Sequence, residues 1–335
     1  MADKTKAEMQ EEIRKRKQAE RERARRIKKA NKMLIVMPKK TQRSLGLIQY
    51  DPSGVFHFLD GRWMKVFKVA NGIENLPGTL FMLKARAMLF HHIEGDEDTY
   101  YLSLFREGDI YEPVRKAFLA DEEVLRKSLW IRSLSAEETA EEIRKQTGLM
   151  DKPWEFSEFM KKRRDLLSET VPKITSDYAA LFMKDTAAGS YFILQYPNGE
   201  MKSMIRLLRG IADHIFITTE VCSVSQETRQ EQIQYLKSRY TGLTEERSIQ
   251  PYANVQIRIM LLCHEKDSLA VAKTKLEEAC FAAGYVISPI FGQQKESAES
   301  ILTLGMVQQG SLHNIQEGAI REIFAKEHEH DPDKV

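Results

Sequence analysis

The stretch "SLGLIQYDPSGVFHFLDGRWMKVFKV", residues 44–69, decides how the body of the chain begins to fold. Asp51-Pro52-Ser53-Gly54 places Pro second and Gly last, as a type I turn prefers, and Asp60-Gly61 is a hairpin signal between Phe58 and Arg62. Two turns between three short apolar runs predict a three-strand meander. Side chains alternate along a strand, so Trp63, Lys65, Phe67 and Val69 share one face of the third strand, and Met64, Val66 and Lys68 share the other. The next run, Leu76 to His92, reads as a helix with Leu80, Leu83, Ala87 and Phe90 on its inner side. "TYYLSLF" (Thr99 to Phe105) then adds an aromatic-rich strand. An antiparallel sheet covered by a helix is the expected domain at residues 44–130.

Upstream of the meander the charge changes sign. Residues 1–43 hold sixteen Lys and Arg against six Asp and Glu, a net +10, so the remainder carries −8 although the whole chain is +2. Glu11 with Lys15, Glu12 with Arg16 and Glu22 with Arg26 are spaced i,i+4, and no Gly or Pro occurs before Pro38, which predicts a basic helix. From Ala7 to Ile35 it would run roughly 43 Å. Its apolar residues are too sparse for a heptad seam, so a solvated helix is the plain expectation. Arg14, Lys15, Arg16, Lys17, Arg21, Arg23, Arg25, Arg26, Lys28 and Lys29 are the candidates for contact with an anionic surface.

With 335 residues, 42% hydrophobic and 30% charged, the chain exceeds one ordinary core, so two domains and an appendage are expected. Cys222, Cys263 and Cys280 have no paired spacing, which fits a reducing compartment and a cytoplasmic location. No apolar run approaches the ~20 residues of a membrane-spanning helix. The first residues lack the apolar centre of a secretory signal, so any membrane contact is expected to be peripheral.

The middle of the chain, residues 109–184, reads as mainly helical, with residues 131–187 as a connector. "SAEETAEEIRKQTG" opens with Ser135 and Glu138 in capping-box spacing and ends at Gly148. "KPWEFSEFMKKRRDLLSETV" reads as a further helix before Pro172, with Lys161 to Arg164 as a solvated basic face. Residues 188–325 alternate regularly. "SYFILQYP", "HIFITTEVC", "NVQIRIMLLC" and "YVISPIF" are strands; "GEMKSMIRLLRGIA", Glu227 to Arg239 and "SLAVAKTKLEEACFAAG" are helices. Two βαβ halves describe a ferredoxin-like domain. The fold class expected is therefore α+β: a basic N-terminal helix, an antiparallel sheet domain with covering helices, a helical connector, a ferredoxin-like domain and a disordered tail at 326–335.

Chemical motifs are few. His91 and His92, if helical, point about 100° apart and do not grip one ion together. His264-Glu265 lacks the second His of a metalloprotease helix, since Ser268 stands in its place. Cys263 and His264 face opposite ways on a strand, and the tail histidines His328 and His330 belong to an acidic end. No Gly-Lys dipeptide occurs, so a phosphate loop has no support. No RNA-recognition signature of stacking aromatics occurs on the "NVQIRIMLLC" strand. Neither cofactor nor metal is expected.

Taken together, the basic start, "YDPSGVFHFLDGRWMKVFKV", "SYFILQYPNGEMKSMIRLLRGIADHIFITTEV" and "FGQQKESAESILTLGMVQQGSLHN" resemble the amino-terminal half of the CagE/TrbE/VirB conjugative ATPases, over roughly residues 35–325. The resemblance implies a docking platform on the inner-membrane channel of a type IV secretion apparatus. The family's carboxy-terminal half holds the P-loop, and this sequence stops where that half would begin, so ATPase activity is not implied. The expected partners are channel components or a separate ATPase chain, with an anionic membrane surface for the basic arm and nucleic acid as the less favoured partner. Trp63, Lys65, Phe67, Lys68, Tyr100 and Tyr101 are the candidate docking residues. A nucleic-acid-binding accessory protein and an unrecognised enzyme, using acidic residues such as Asp60 and Glu94, stay open as alternatives.

Overall fold

The structure, a computed structural model, describes residues 6–37, 46–71, 76, 79–80, 83, 85–150, 180–182, 186–195, 204–223, 252–307 and 313–316. The expected helices at 152–171 and 227–239, the basic cluster at 161–164 and the tail lie outside these residues. In chain order the described elements are α1 (Lys6–Ala30), β1 (Ile35–Val36), β2 (Leu47–Asp51), β3 (Val55–Phe58), β4 (Arg62–Asn71), β5 (Arg86–Glu94) and β6 (Glu97–Glu107). Then come α2 (Tyr111–Arg126), β7 (Trp130–Ser133), α3 (Ala136–Gly148), β8 (Leu181–Phe182), β9 (Ala187–Gln195), α4 (Met204–Leu208) and β10 (His214–Ser223). The series ends with β11 (Tyr252–Cys263), α5 (Ser268–Ala282), β12 (Val286–Pro289), α6 (Gln294–Leu302) and β13 (His313–Gln316). The fold is α+β, built on a large antiparallel sheet in the order β1-β2-β3-β4-β6-β5-β10-β11-β9-β12, with β7 beside β4, β8 beside β9 and β13 beside β11.

The meander forms where its turn residues place it. The Gly54 N–H donates to Asp51 O at 2.9 Å, and the Gly61 N–H to Phe58 O at 3.1 Å. Gly54 has φ +90°, and a Cβ there would sit 2.0 Å from the Leu134 carbonyl oxygen, so glycine alone lets this turn close against the start of α3. At that start the capping box is present: Ser135 Oγ accepts from the Glu138 N–H, and the Ser135 N–H donates to the Glu138 carboxylate.

The expected helix at Leu76 to His92 is corrected. Helical backbone occurs at Leu76, Thr79 and Leu80, but Arg86 to Glu94 is strand β5. Ala87, Leu89 and Ile93 face one core while Met88 and Phe90 face another, so both strand faces are apolar and the period-two signal disappears. Gly95, at φ +57° in the β5–β6 turn, is the punctuation that marks the hairpin. Similarly, β7 interrupts the stretch expected to be helical. Its four residues are too few to show a period of their own.

The order of elements repeats. In the first unit, β4, the helical turn near Leu80, β5, β6, α2 and β7 give the spatial order β7-β4-β6-β5. In the second, β9, α4, β10, β11, α5 and β12 give β12-β9-β11-β10. Each is fourth, first, third, second, and all neighbours are antiparallel. The units meet through their second strands, with β5 and β10 in register from Arg86↔Cys222 to Ile93↔Ile215. The sheet therefore crosses the expected domain boundary without a break.

Both sheet faces are covered. One carries a core that includes residues of both units, among them Trp63, Phe67, Leu102 and Phe118 with Ile217, Ile259 and Leu276. On the other, Phe56, Phe58, Met64 and Phe90 pack with α3, while Phe216, Met260 and Leu262 pack with α6. On this second face three charged side chains lie in adjacent strands. Glu220 of β10 is buried against Arg86 of β5, and Arg258 of β11 is fully buried with its guanidinium 3.2 Å from Ser300 Oγ of α6. Glu220→Gln removes the negative charge from beside two arginines, so it should destabilise the fold by about 3–5 kcal/mol in chemical denaturation, whereas Glu112→Gln, at an exposed pair, should change it by less than ~0.5 kcal/mol.

Candidate functional site

The basic helix α1 stands out from the body. Its 25 residues give a length of about 37 Å. From Gln10 to Ala30 every residue is exposed except the half-buried Ile27. All ten basic candidates, Arg14 to Lys29, are thus in solvent, and pairs such as Lys15–Glu11 at 2.8 Å and Arg16–Glu20 at 3.4 Å support the helix along its length. A helix polar on all sides gains little from packing, which explains why it projects.

Its foot is fixed by a socket in the body. Helix α2 begins after Ile110, which offers no side-chain cap, and Asn31 supplies one from the arm. Asn31 Oδ1 accepts the Tyr111 N–H at 2.9 Å, and its amide nitrogen donates to Asp109 O at 3.0 Å. Leu34 and Met37 are buried beyond it, β1 pairs with β2, and Arg23 reaches the Asp109 carboxylate from one side of the helix. Nothing in the basic composition points to this socket. The signal is the single Asn in "KKANKMLIV", a good capping residue ahead of an apolar run.

The docking candidates lie on β4 and β6, and burial divides them. Trp63 is enclosed, donating its Nε1–H to Gly108 O at 2.7 Å and stacking on His57 with centroids 3.8 Å apart. Phe67 belongs to the same core, and Tyr101 is buried with its hydroxyl donating to Glu142 of α3 at 2.6 Å. Lys65 is buried with Glu122 of α2 4.0 Å away, and desolvation pulls its pKa down. These four are packing residues. Lys68 and Tyr100 remain half exposed on opposite faces, Lys68 over the Tyr101 ring at 5.6 Å and Tyr100 stacked on His91 at 4.3 Å.

The histidines regroup once β5 is a strand. His91 and His92 point to opposite faces. On the first face His91 is buried, its Nε2 2.8 Å from Asp98 Oδ1, and Asp98 also takes Arg209 from the second unit. On the second face His92 Nε2 lies 3.2 Å from His214 Nδ1 of β10, and Glu94 Oε2 is 3.9 Å from that nitrogen. Desolvation lowers the pKa of His92 to about 4 and lowers that of His214. His264 is exposed at the end of β11, its ring 5.2 Å from that of His214. Cys263 is buried beside it, and desolvation raises the pKa of its thiol. The sequence distance between His92 and His214 hides this group, since only strand pairing unites them.

No protein-family model matches the sequence, and no curated protein matches it. Among the described residues no helix is long and apolar enough to cross a membrane.

The socket sets where the arm can be cut. A truncation at residue 36 removes Asn31 and Leu34, the residues that seat the arm. Removing residues 1–22 should instead leave the thermal midpoint unchanged within a few degrees, because it keeps every socket contact from Arg23 onward and the described residues 10–22 that it removes are exposed. Asn31→Ala in the full chain should cost about 1–2 kcal/mol through the lost cap, read as a fall of several degrees by circular dichroism.

Proposed function

We propose that this protein is a non-catalytic docking component of a conjugative type IV secretion apparatus, with the basic arm as its contact element. The observation that carries the reading is the arm itself: eleven Lys and Arg against five Glu on a helix exposed from Gln10 to Ala30 except at Ile27, seated at one end on a body of opposite net charge. Such a helix presents positive potential well beyond the surface of its own domain, which steers anionic partners towards it. The segments at residues 50–69, 190–221 and 291–314 that resemble the amino-terminal half of the conjugative ATPases support the assignment to that machinery. The order fourth, first, third, second in an antiparallel βαββαβ unit supports a ferredoxin-like reading of residues 187–289, and the same order supports it for residues 62–133.

On this reading the body is a platform and the arm selects its partner, an acidic channel or ATPase component at the inner face of the cell membrane. Both faces of the sheet are occupied by helices, so the contact falls to projecting or marginal parts, the arm and half-exposed Lys68 and Tyr100 among them. Pull-down from the native host with the full chain should recover channel or ATPase components, and the chain lacking residues 1–22 should lose them while staying folded. Equal recovery by both chains would remove the arm from the contact. Flotation of the full chain alone with vesicles containing anionic lipid, in the absence of any recovered protein, would assign the arm to the membrane instead.

A further inference from the structure

We infer that His92, Glu94 and His214 form a binding site for one divalent transition-metal ion of the zinc class, clasping β5 to β10 at one end of the seam between the two units. The three side chains offer ligand atoms that all lie within 4.8 Å of one another. Zinc bonds of about 2.0–2.1 Å in tetrahedral array hold ligand atoms roughly 3.3–3.4 Å apart. The 3.2 Å between His92 Nε2 and His214 Nδ1 already matches two ligands on one ion. The Glu94 carboxylate, 3.9 Å from His214 Nδ1, lies beyond that spacing by about half an ångström, and it is exposed and free to swing in. Two imidazoles and one carboxylate are a donor set that suits zinc and its first-row neighbours rather than magnesium or calcium, which prefer oxygen alone.

The site is built by the fold. His92 lies opposite Phe216 in the β5–β10 ladder, and its ring is stacked on that phenyl with centroids 4.3 Å apart and planes 5° from parallel. His214 is buried, with the His264 ring set edge-on against it, and the His264 backbone N–H is held by Asp213 at 2.8 Å. Fixed rings of this kind lose little freedom on binding an ion. The exposed Glu94 leaves an entry route and a fourth position, which water or the adjacent His264 can fill. With one ligand pair on β5 and one ligand on β10, the ion ties the first unit to the second.

The test uses untagged full-length protein and zinc itself. Calorimetry should give one ion per chain with a dissociation constant on the order of micromolar or tighter, and a hundredfold excess over that constant should raise the thermal midpoint by about 5–10 °C, reversibly with chelator. Glu94→Gln, a surface change, should weaken binding at least ~10-fold, the loss of one of three protein ligands, without moving the zinc-free midpoint. His92→Phe keeps the ring stack on Phe216 and should abolish binding. The double variant His328→Gln, His330→Gln should bind as the unaltered chain does, which separates this site from the histidines of the tail. Absence of zinc binding, unchanged affinity in Glu94→Gln, or loss of binding in the tail variant would each overturn the assignment.

Discussion

A guanidinium wholly withdrawn from water is the feature around which this molecule is arranged. Arg258 is fully buried, and desolvation lowers its pKa to about 10, against the opposing pull of Glu220. Glu220 is itself almost completely enclosed and is paired with Arg86 across the strand boundary. Charges in such surroundings are tolerated only with a close counter-charge and directed hydrogen bonds, and a change of register by one residue would turn each of them onto the apolar opposite face. The row Arg86, Glu220, Arg258 therefore specifies how β5, β10 and β11 align. That alignment joins the two units.

Other contacts serve the same boundary. On the first face Arg209, just after α4, reaches Asp98 and the Gly95 carbonyl at the β5–β6 turn. Asp98 in turn holds the buried His91. The seam thus has a charged link on each face and the His92–His214 pair near one end, in addition to the ladder itself. The foot of α1 is seated on α2 of the first unit, and α2 is tied to β6 through the two-toothed Arg106–Asp121 contact, so the arm is linked to the sheet by directed hydrogen bonds.

Local punctuation was legible in the sequence, and long-range pairing was not. The meander, the capping box at Ser135 and the basic helix all follow from residues within a few positions of one another. The strand β5 was hidden because both of its faces are buried, which removes the alternation that identifies a strand. The aromatic and lysine candidates on β4 and β6 were legible as sheet residues, but a second covering layer, α3 opposite α2, decides that Trp63, Lys65, Phe67 and Tyr101 are internal. The charged row carried a readable trace: Glu220 in "HIFITTEVC" and Arg258 in "NVQIRIMLLC" are lone charges near the middle of apolar strands, which require partners from elsewhere in the fold. Their identity depends on strand order. The same holds for the histidine group, whose members are separated by more than a hundred residues.

The central claim is that the two units form one cooperative body through β5 and β10. Native-state hydrogen exchange at increasing denaturant measures it most directly. If the seam is integral, the ladder amides of β5 and β10 exchange with the same free energy and denaturant dependence as those of β6 and β11, through global unfolding. Exchange of the β5 and β10 amides through a smaller opening, while β4–β6 and β9–β11 stay protected, would show two units that only rest against each other and would contradict the claim.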